Sequence, residues 1–162
     1  AAWDMYGKIR NNIFLKDVTG KDMGWVESVC KSYKPDIVVL DMGDKFATTQ
    51  GFARTDEALK ANVVYARQIA KMYECAMFYM SQLSADAEGK IQLNQAMMEG
   101  SRTGKAAEAD LMILIAKNPP VEGVNGEEES TQRHLNVVKN KLSGWHGRII
   151  CELDYRTARY TA

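Results

Sequence analysis

The sequence predicts an α/β fold, with a mainly parallel sheet followed by antiparallel C-terminal strands. Three observations carry this. The runs Ile37-Val38-Val39-Leu40, Ala76-Met77-Phe78-Tyr79-Met80 and Leu111-Met112-Ile113-Leu114-Ile115 are apolar and do not alternate. Such strands are covered on both faces, the habit of parallel sheets. The stretches between them space their apolar residues three and four apart, as one face of a helix requires. Strands alternating with helices give an α/β sheet with right-handed crossovers. After residue 130 the pattern changes to short strand-like runs with glycines in the turn, which reads as antiparallel.

In chain order, Trp3, Tyr6 and Ile9 suggest an opening helix, and Ile13-Phe14-Leu15 a short strand. Thr19-Gly20-Lys21-Asp22 has the spacing of a capping box, its hydroxyl and carboxylate covering free N–H groups. The helix it introduces carries Met23, Val26, Cys30 and Tyr33 on one stripe, and Lys34-Pro35 ends it. The first buried strand closes on Asp41, and residues 43 to 54 read as a polar, Gly-bearing loop. Thr55-Asp56-Glu57 caps a second helix with the stripe Leu59, Val63, Ala66, Ile69 and Tyr73. The second buried strand ends at Ser81-Gln82, and a long polar stretch from 83 to 109 leads to the third. Pro119-Pro120 and Glu127-Glu128-Glu129 read as a loop without an element of its own. His134 to Lys139, Arg148 to Asp154 and Ala158 to Thr161 then form the antiparallel tail, with Gly144 and Gly147 in its first turn.

The 162 residues fit a single domain (1–162) able to bury a core. With 46% apolar and 26% charged residues the composition is that of an ordinary globular protein. Lys plus Arg and Asp plus Glu number 21 each, which excludes a bulk polycation and confines any nucleic-acid contact to a few loops. Cys30, Cys75 and Cys151 show no paired spacing and sit among apolar residues, as reduced, buried thiols of a cytoplasmic protein would. No apolar stretch approaches the ~20 residues of a membrane span, and the start shows no signal-peptide pattern. Ala1-Ala2-Trp3 at the start, without an initiator Met, is most simply an excised fragment.

Ligands of open α/β sheets bind at the carboxyl ends of the parallel strands. Two polar groups fall there, Asp41 and Gln82. A hydrophobic strand ending in Asp is the Walker B arrangement, which holds Mg²⁺, often through water. A Gln on the neighbouring strand tip has the chemistry to orient an attacking water or to feel a γ-phosphate. Gly100-Ser101-Arg102-Thr103-Gly104-Lys105-Ala106 imitates a P-loop but fails as one. Three residues separate its glycines, Ala follows its Lys, and it precedes a strand. A mobile loop is the better reading, and no G-x-x-x-x-G-K-[ST] exists in the chain.

The succession Ile37-Val38-Val39-Leu40-Asp41, Met80-Ser81-Gln82-Leu83-Ser84, Glu108-Ala109-Asp110-Leu111-Met112-Ile113 and Val137-Val138-Lys139-Asn140-Lys141-Leu142-Ser143-Gly144 resembles the DnaB-type replicative helicases, and phage primase-helicases share the pattern. The resemblance runs from about residue 12 to the end. It implies a RecA-like P-loop NTPase core, here only the portion after Walker A, from a hexameric ring helicase that uses ATP and Mg²⁺ on single-stranded DNA. It assigns Asp41 to Walker B and Mg²⁺, Gln82 to the S-Q-L switch, and Lys139 with Lys141 to the K-x-R finger that reaches the neighbouring subunit's nucleotide. It puts DNA-binding loops at 43 to 55 and 84 to 105, with Lys45, Arg54, Lys90, Arg102 and Lys105 as their cations. It also implies the cytoplasm of a bacterial or phage-infected cell.

There are three departures. Lys141 stands where the finger arginine is expected, keeping the charge without the planar fork. Glu108-Ala109-Asp110 lies one residue closer to the preceding Gly. Walker A and the catalytic glutamate belong to upstream sequence, so this chain alone is expected to be inactive. Two other classes stay open: a different RecA-like ATPase, of the recombinase or clock type, and a non-catalytic nucleic-acid-binding or assembly module. Without the resemblance, Lys139 and Lys141 would read as a solvated strand face.

Overall fold

The computed structural model describes residues 2–48, 55–99, 102–123, 126–128 and 130–162. Helix α1 (Ala2–Ile9) is followed by an exposed irregular stretch, not by the expected strand. Ile13, Phe14 and Leu15 are 47%, 56% and 91% exposed and pair with no strand, so their β-propensity has nothing to act on. Helix α2 (Met23–Tyr33) starts at Asp22, whose Oδ1 accepts from the Trp25 N–H at 2.9 Å. Thr19 does not cap it; its hydroxyl donates to Asp17 Oδ1 at 2.8 Å. Lys34 adopts the left-handed conformation and Pro35 follows, which ends the helix as expected.

Strand β1 (Ile37–Leu40) pairs in parallel with β2 (Ala76–Tyr79), Val39 opposite Phe78 and Leu40 opposite Tyr79. Helix α3 (Thr55–Met72) joins them. Met23, Val26 and Cys30 from α2 and Ala66 and Ile69 from α3 close a core over Leu40 and Phe46. That covers one face. Ile37, Val39 and Phe78 on the other remain half-exposed, so the expected burial on both faces holds for one only among the described residues. All three cysteines are buried as expected, and burial beside Cys75 pushes the Cys30 thiol up to about 11.

The stretch from 83 to 109 is packed. The Asn136 amide donates to the Ile91 carbonyl at 3.1 Å, and Gln95 Nε2 donates to the Val138 carbonyl at 2.9 Å. These bonds hold the stretch against β6 (Gln132–Asn140). Residues 102–108, expected in a mobile loop, form helix α4 (Arg102–Glu108). Ala106 of α4 is buried in a second core with Leu93, Met98, Met112 and Leu114. Burial of Ala106, and of Lys105 beside it, is what a loop reading misses.

Strand β3 (Leu111–Lys117) also departs from expectation, since it pairs antiparallel with β6 instead of joining the parallel pair. The second sheet runs β3-β6-β7-β8, with β7 (Gly147–Asp154) and β8 (Arg159–Thr161) close to the expected bounds. The stretch after Pro119-Pro120 is not element-free, because β4 (Val121–Gly123) and β5 (Gly126–Glu128) pair antiparallel. No β2–β3 hydrogen-bonded ladder forms among the described residues. A cavity of about 160 Å³ lies between them, bordered by Tyr79, Ser81 and Gln82 on one side and Leu111 to Leu114 on the other.

Candidate functional site

The parallel pair brings two of the predicted residues to one edge. Asp41 follows the last residue of β1, and Gln82 lies three residues past the end of β2. Both are exposed. The backbone around them is tightly held: Met80 N–H donates to the Leu40 carbonyl at 3.1 Å, and Gly43 N–H donates to the Met80 carbonyl at 2.9 Å. Met42 reaches this turn through a left-handed φ of 53°. Gly43 must be glycine, because a Cβ would stand 2.5 Å from Cζ of Tyr79.

Beneath the edge lies a cluster that the sequence did not announce. Asp44 Oδ2 receives the Lys105 ammonium at 2.7 Å and the Ser81 hydroxyl at 2.5 Å, and Tyr79 OH donates to Asp44 Oδ1 at 3.3 Å. Burial, followed by the nearby Asp44 carboxylate, raises the Tyr79 phenol well above its usual range. Lys105 was expected on a DNA-binding loop. It is 3% exposed on α4 with its donors engaged, which corrects that expectation: an ammonium held in this way cannot also reach a phosphate. Only the spacing of Asp44 after the strand end and the small residues flanking Lys105 hint at the cluster in the sequence.

The other predicted cations fall in three settings. Lys45 and Lys90 are exposed on the segments after β1 and β2. Arg54 lies outside the described residues, as does the side chain of Arg102, whose backbone opens α4. Lys139 and Lys141 are not on a bare solvated face. Lys139 Nζ donates to the carbonyls of Ala106 and Ala107 at the C-terminal end of α4, where a cation also meets the negative end of the helix dipole. Partial burial, then the Lys141 charge, lowers the Lys139 ammonium from its ordinary value.

Lys141 Nζ lies 3.3 Å from Asp110 Oδ1, whose carboxylate also takes Arg67 Nη2 at 3.1 Å. Burial pushes the Asp110 carboxyl up, but the two cations outweigh it and hold it below the usual carboxylate value. With Lys141 and Asp110 47% and 55% exposed, their pairing contributes only about 0–1 kcal/mol. Lys141 is therefore held loosely.

The described residues contain no group of three or more His, Cys, Asp or Glu able to hold a metal. Asp44 is committed to Lys105, which leaves Asp41 as the exposed carboxylate at the β1 tip. That fits Mg²⁺, which keeps waters and takes one or two carboxylates beside substrate phosphates.

Fold and site together are those of a RecA-like α/β core with its ligand edge at the carboxyl ends of β1 and β2. Among solved structures the chain is similar to a helicase-type ATPase domain, with a TM-score of 0.80 and 17% identity over 98% of this chain and 57% of that one. It is likewise similar to "The Structure Of A DnaB-Like Replicative Helicase And Its Interactions With Primase", with a TM-score of 0.76 and 16% identity over 98% of this chain and 40% of that one. The chain thus has the fold of DnaB-like helicase ATPase domains while spanning about half or less of the chains it resembles. No protein-family profile and no curated protein matches the sequence.

Proposed function

We propose that this chain is the C-terminal portion of the ATPase core of a DnaB-like replicative helicase, a hexameric ring that uses ATP and Mg²⁺ to move along single-stranded DNA. One observation carries the reading. A carboxylate and an amide, Asp41 and Gln82, stand on adjacent tips of a parallel pair, within a fold shared with helicase ATPase domains. Asp41 supplies one ligand to Mg²⁺, with phosphate oxygens and water as the others. Gln82 orients the attacking water or senses the γ-phosphate.

Lys141 acts in trans on the neighbouring subunit's nucleotide. Its weak tether to Asp110 supports this role, because little is lost when the side chain swings away. Lys139 holds the end of α4 beside it. Lys45 and Lys90 meet the DNA backbone, and Arg54 and Arg102 are proposed for the same role. Such a protein would work in the cytoplasm of a bacterial or phage-infected cell. No helix of the described residues is long and apolar enough to cross a membrane.

The test is DNA-stimulated ATP hydrolysis by the full-length protein that carries this chain. Asp41→Asn is expected to lower the rate by orders of magnitude with the unfolding midpoint nearly unchanged, since an exposed strand-tip carboxylate packs against little. Unchanged hydrolysis would reduce Asp41 to a turn former. The 162-residue chain by itself, with no phosphate-cradling motif, is expected to show no turnover. Turnover abolished by Asp41→Ala would show otherwise.

A further inference from the structure

Lys105 uses all three of its ammonium protons. They go to three separate segments: Asp44 Oδ2 at 2.7 Å on the turn leaving β1, Ser81 Oγ at 2.7 Å at the β2 tip, and the Glu99 carbonyl at 2.9 Å ahead of α4. The arrangement closes on itself, because the Ser81 hydroxyl passes its own proton to Asp44 Oδ2 at 2.5 Å. Asp44 stands three residues after Asp41, and Ser81 immediately precedes Gln82. Two backbone bonds follow the same path, from Gly43 N–H to the Met80 carbonyl at 2.9 Å and from Glu99 N–H to the Gln82 carbonyl at 3.2 Å.

A buried ion pair is a poor source of stability, since apolar residues of similar volume often do as well. Its geometry is specific, however. A compact point charge with three donors can fix three oxygens at once. Here those oxygens belong to the two strand tips and to the segment that leads into α4.

We propose that Lys105 is a positioning residue: through Asp44 and Ser81 it locks the β1 and β2 tips together, fixes the separation of Asp41 from Gln82, and ties both to α4. The clamp stands on these contacts alone. Its use in catalysis rests on the Mg²⁺ and γ-phosphate roles proposed above.

The test separates clamp from stability. Lys105→Met leaves Asp44 without its cation, and Asp44→Asn leaves a buried ammonium, so each single change is expected to lower the unfolding midpoint by roughly 10 °C. Lys105→Met/Asp44→Asn removes both charges and is expected to recover most of that loss. In this stability-matched double variant, exchange of the Gly43 and Glu99 amides should still be at least about tenfold faster than in the native chain, with α2, α3 and β6 unchanged. Native protection at Gly43 and Glu99 in the double variant overturns the proposal.

In the full-length protein the double variant should lose roughly 10²-fold in kcat with KM for ATP retained, as expected for misplaced but intact groups. Native kcat there, in a protein whose Asp41→Asn form is inactive, also overturns it. If Asp41→Asn is itself fully active, the Mg²⁺ reading fails while the exchange result still decides whether the clamp exists.

Discussion

His134 lies on β6, 3% exposed, with Nε2 2.8 Å from Asn118 Oδ1 and with no hydrogen-bond partner for Nδ1 among the described residues. The arrangement suits a neutral imidazole whose Nε2–H donates to Asn118. A second proton on Nδ1 would have no acceptor. Burial, followed by the Arg148 charge, lowers the His134 pKa below its ordinary 6.5. The sign follows from linkage: below pH 6.5 the unfolded chain takes up a proton that the folded chain refuses, so stability falls with pH until the folded value is reached. One such proton changes stability by at most about 1.4 kcal/mol per pH unit. Asp17, Asp110 and Asp154, all lowered from 3.8, lose their contribution only at more acid pH, so the windows are distinct. Denaturant titrations between pH 7 and 5 should therefore show a falling midpoint, and His134→Gln should flatten it. An equal slope in the variant would assign the loss elsewhere. Gly43→Ala is the steric counterpart. Its Cβ would displace the Tyr79 ring from 2.5 Å, and overpacking of this kind costs about 1–3 kcal/mol. A native midpoint would show that the ring gives way freely.

Helix α2 shows how local signals compete. The sequence offers Thr19 and Asp22 as joint caps, yet only Asp22 reaches a helix N–H, while the Thr19 hydroxyl turns back to Asp17. Asp22→Ala should thus cost about 1 kcal/mol, a fall of some 2–4 °C in the midpoint, whereas Thr19→Ala should stay within about 0.5 kcal/mol. Equal losses from both would restore the capping box. Elements governed by their own periodicity were legible: the Met23, Val26, Cys30 stripe, the two parallel strands, and the antiparallel tail. Those that depend on distant partners were not. Helix α4 is seven residues carrying a lysine, and it becomes a helix where Ala106 packs into the second core and Lys105 finds Asp44. Ile13 to Leu15 has strand-like residues but no neighbouring strand to pair with.

Across the whole molecule two cores divide the chain, one beneath α2, α3, β1 and β2, the other beneath α4, β3 and the 84–98 segment. The candidate edge, Asp41 and Gln82, belongs to the first, and its polar positions could be read at the ends of apolar runs. Its link to the second core could not be read, because Lys105 and Asp44 are 61 residues apart and nothing local marks them as partners. Besides that contact, Arg67 on α3 bridges to Glu108 and Asp110, with Asp110 Oδ1 at 3.1 Å from Nη2. Two cores joined by a few polar contacts should not lose protection as one. Ile69, 0% exposed at the centre of the first core, provides the test. Ile69→Ala removes buried methylenes and leaves a cavity, a loss of about 2–5 kcal/mol. Because the second core contains none of the residues that Ile69 packs against, exchange should accelerate in α2, α3, β1 and β2 while the amides of β6 and β7 keep most of their protection. The loops bearing Asp41 and Asp44 should loosen with the first group, and Lys105 should show whether α4 follows them or stays with β3. A uniform rise in exchange from α2 through β7 would mean that the polar contacts between the cores are strong enough to make the chain a single cooperative unit.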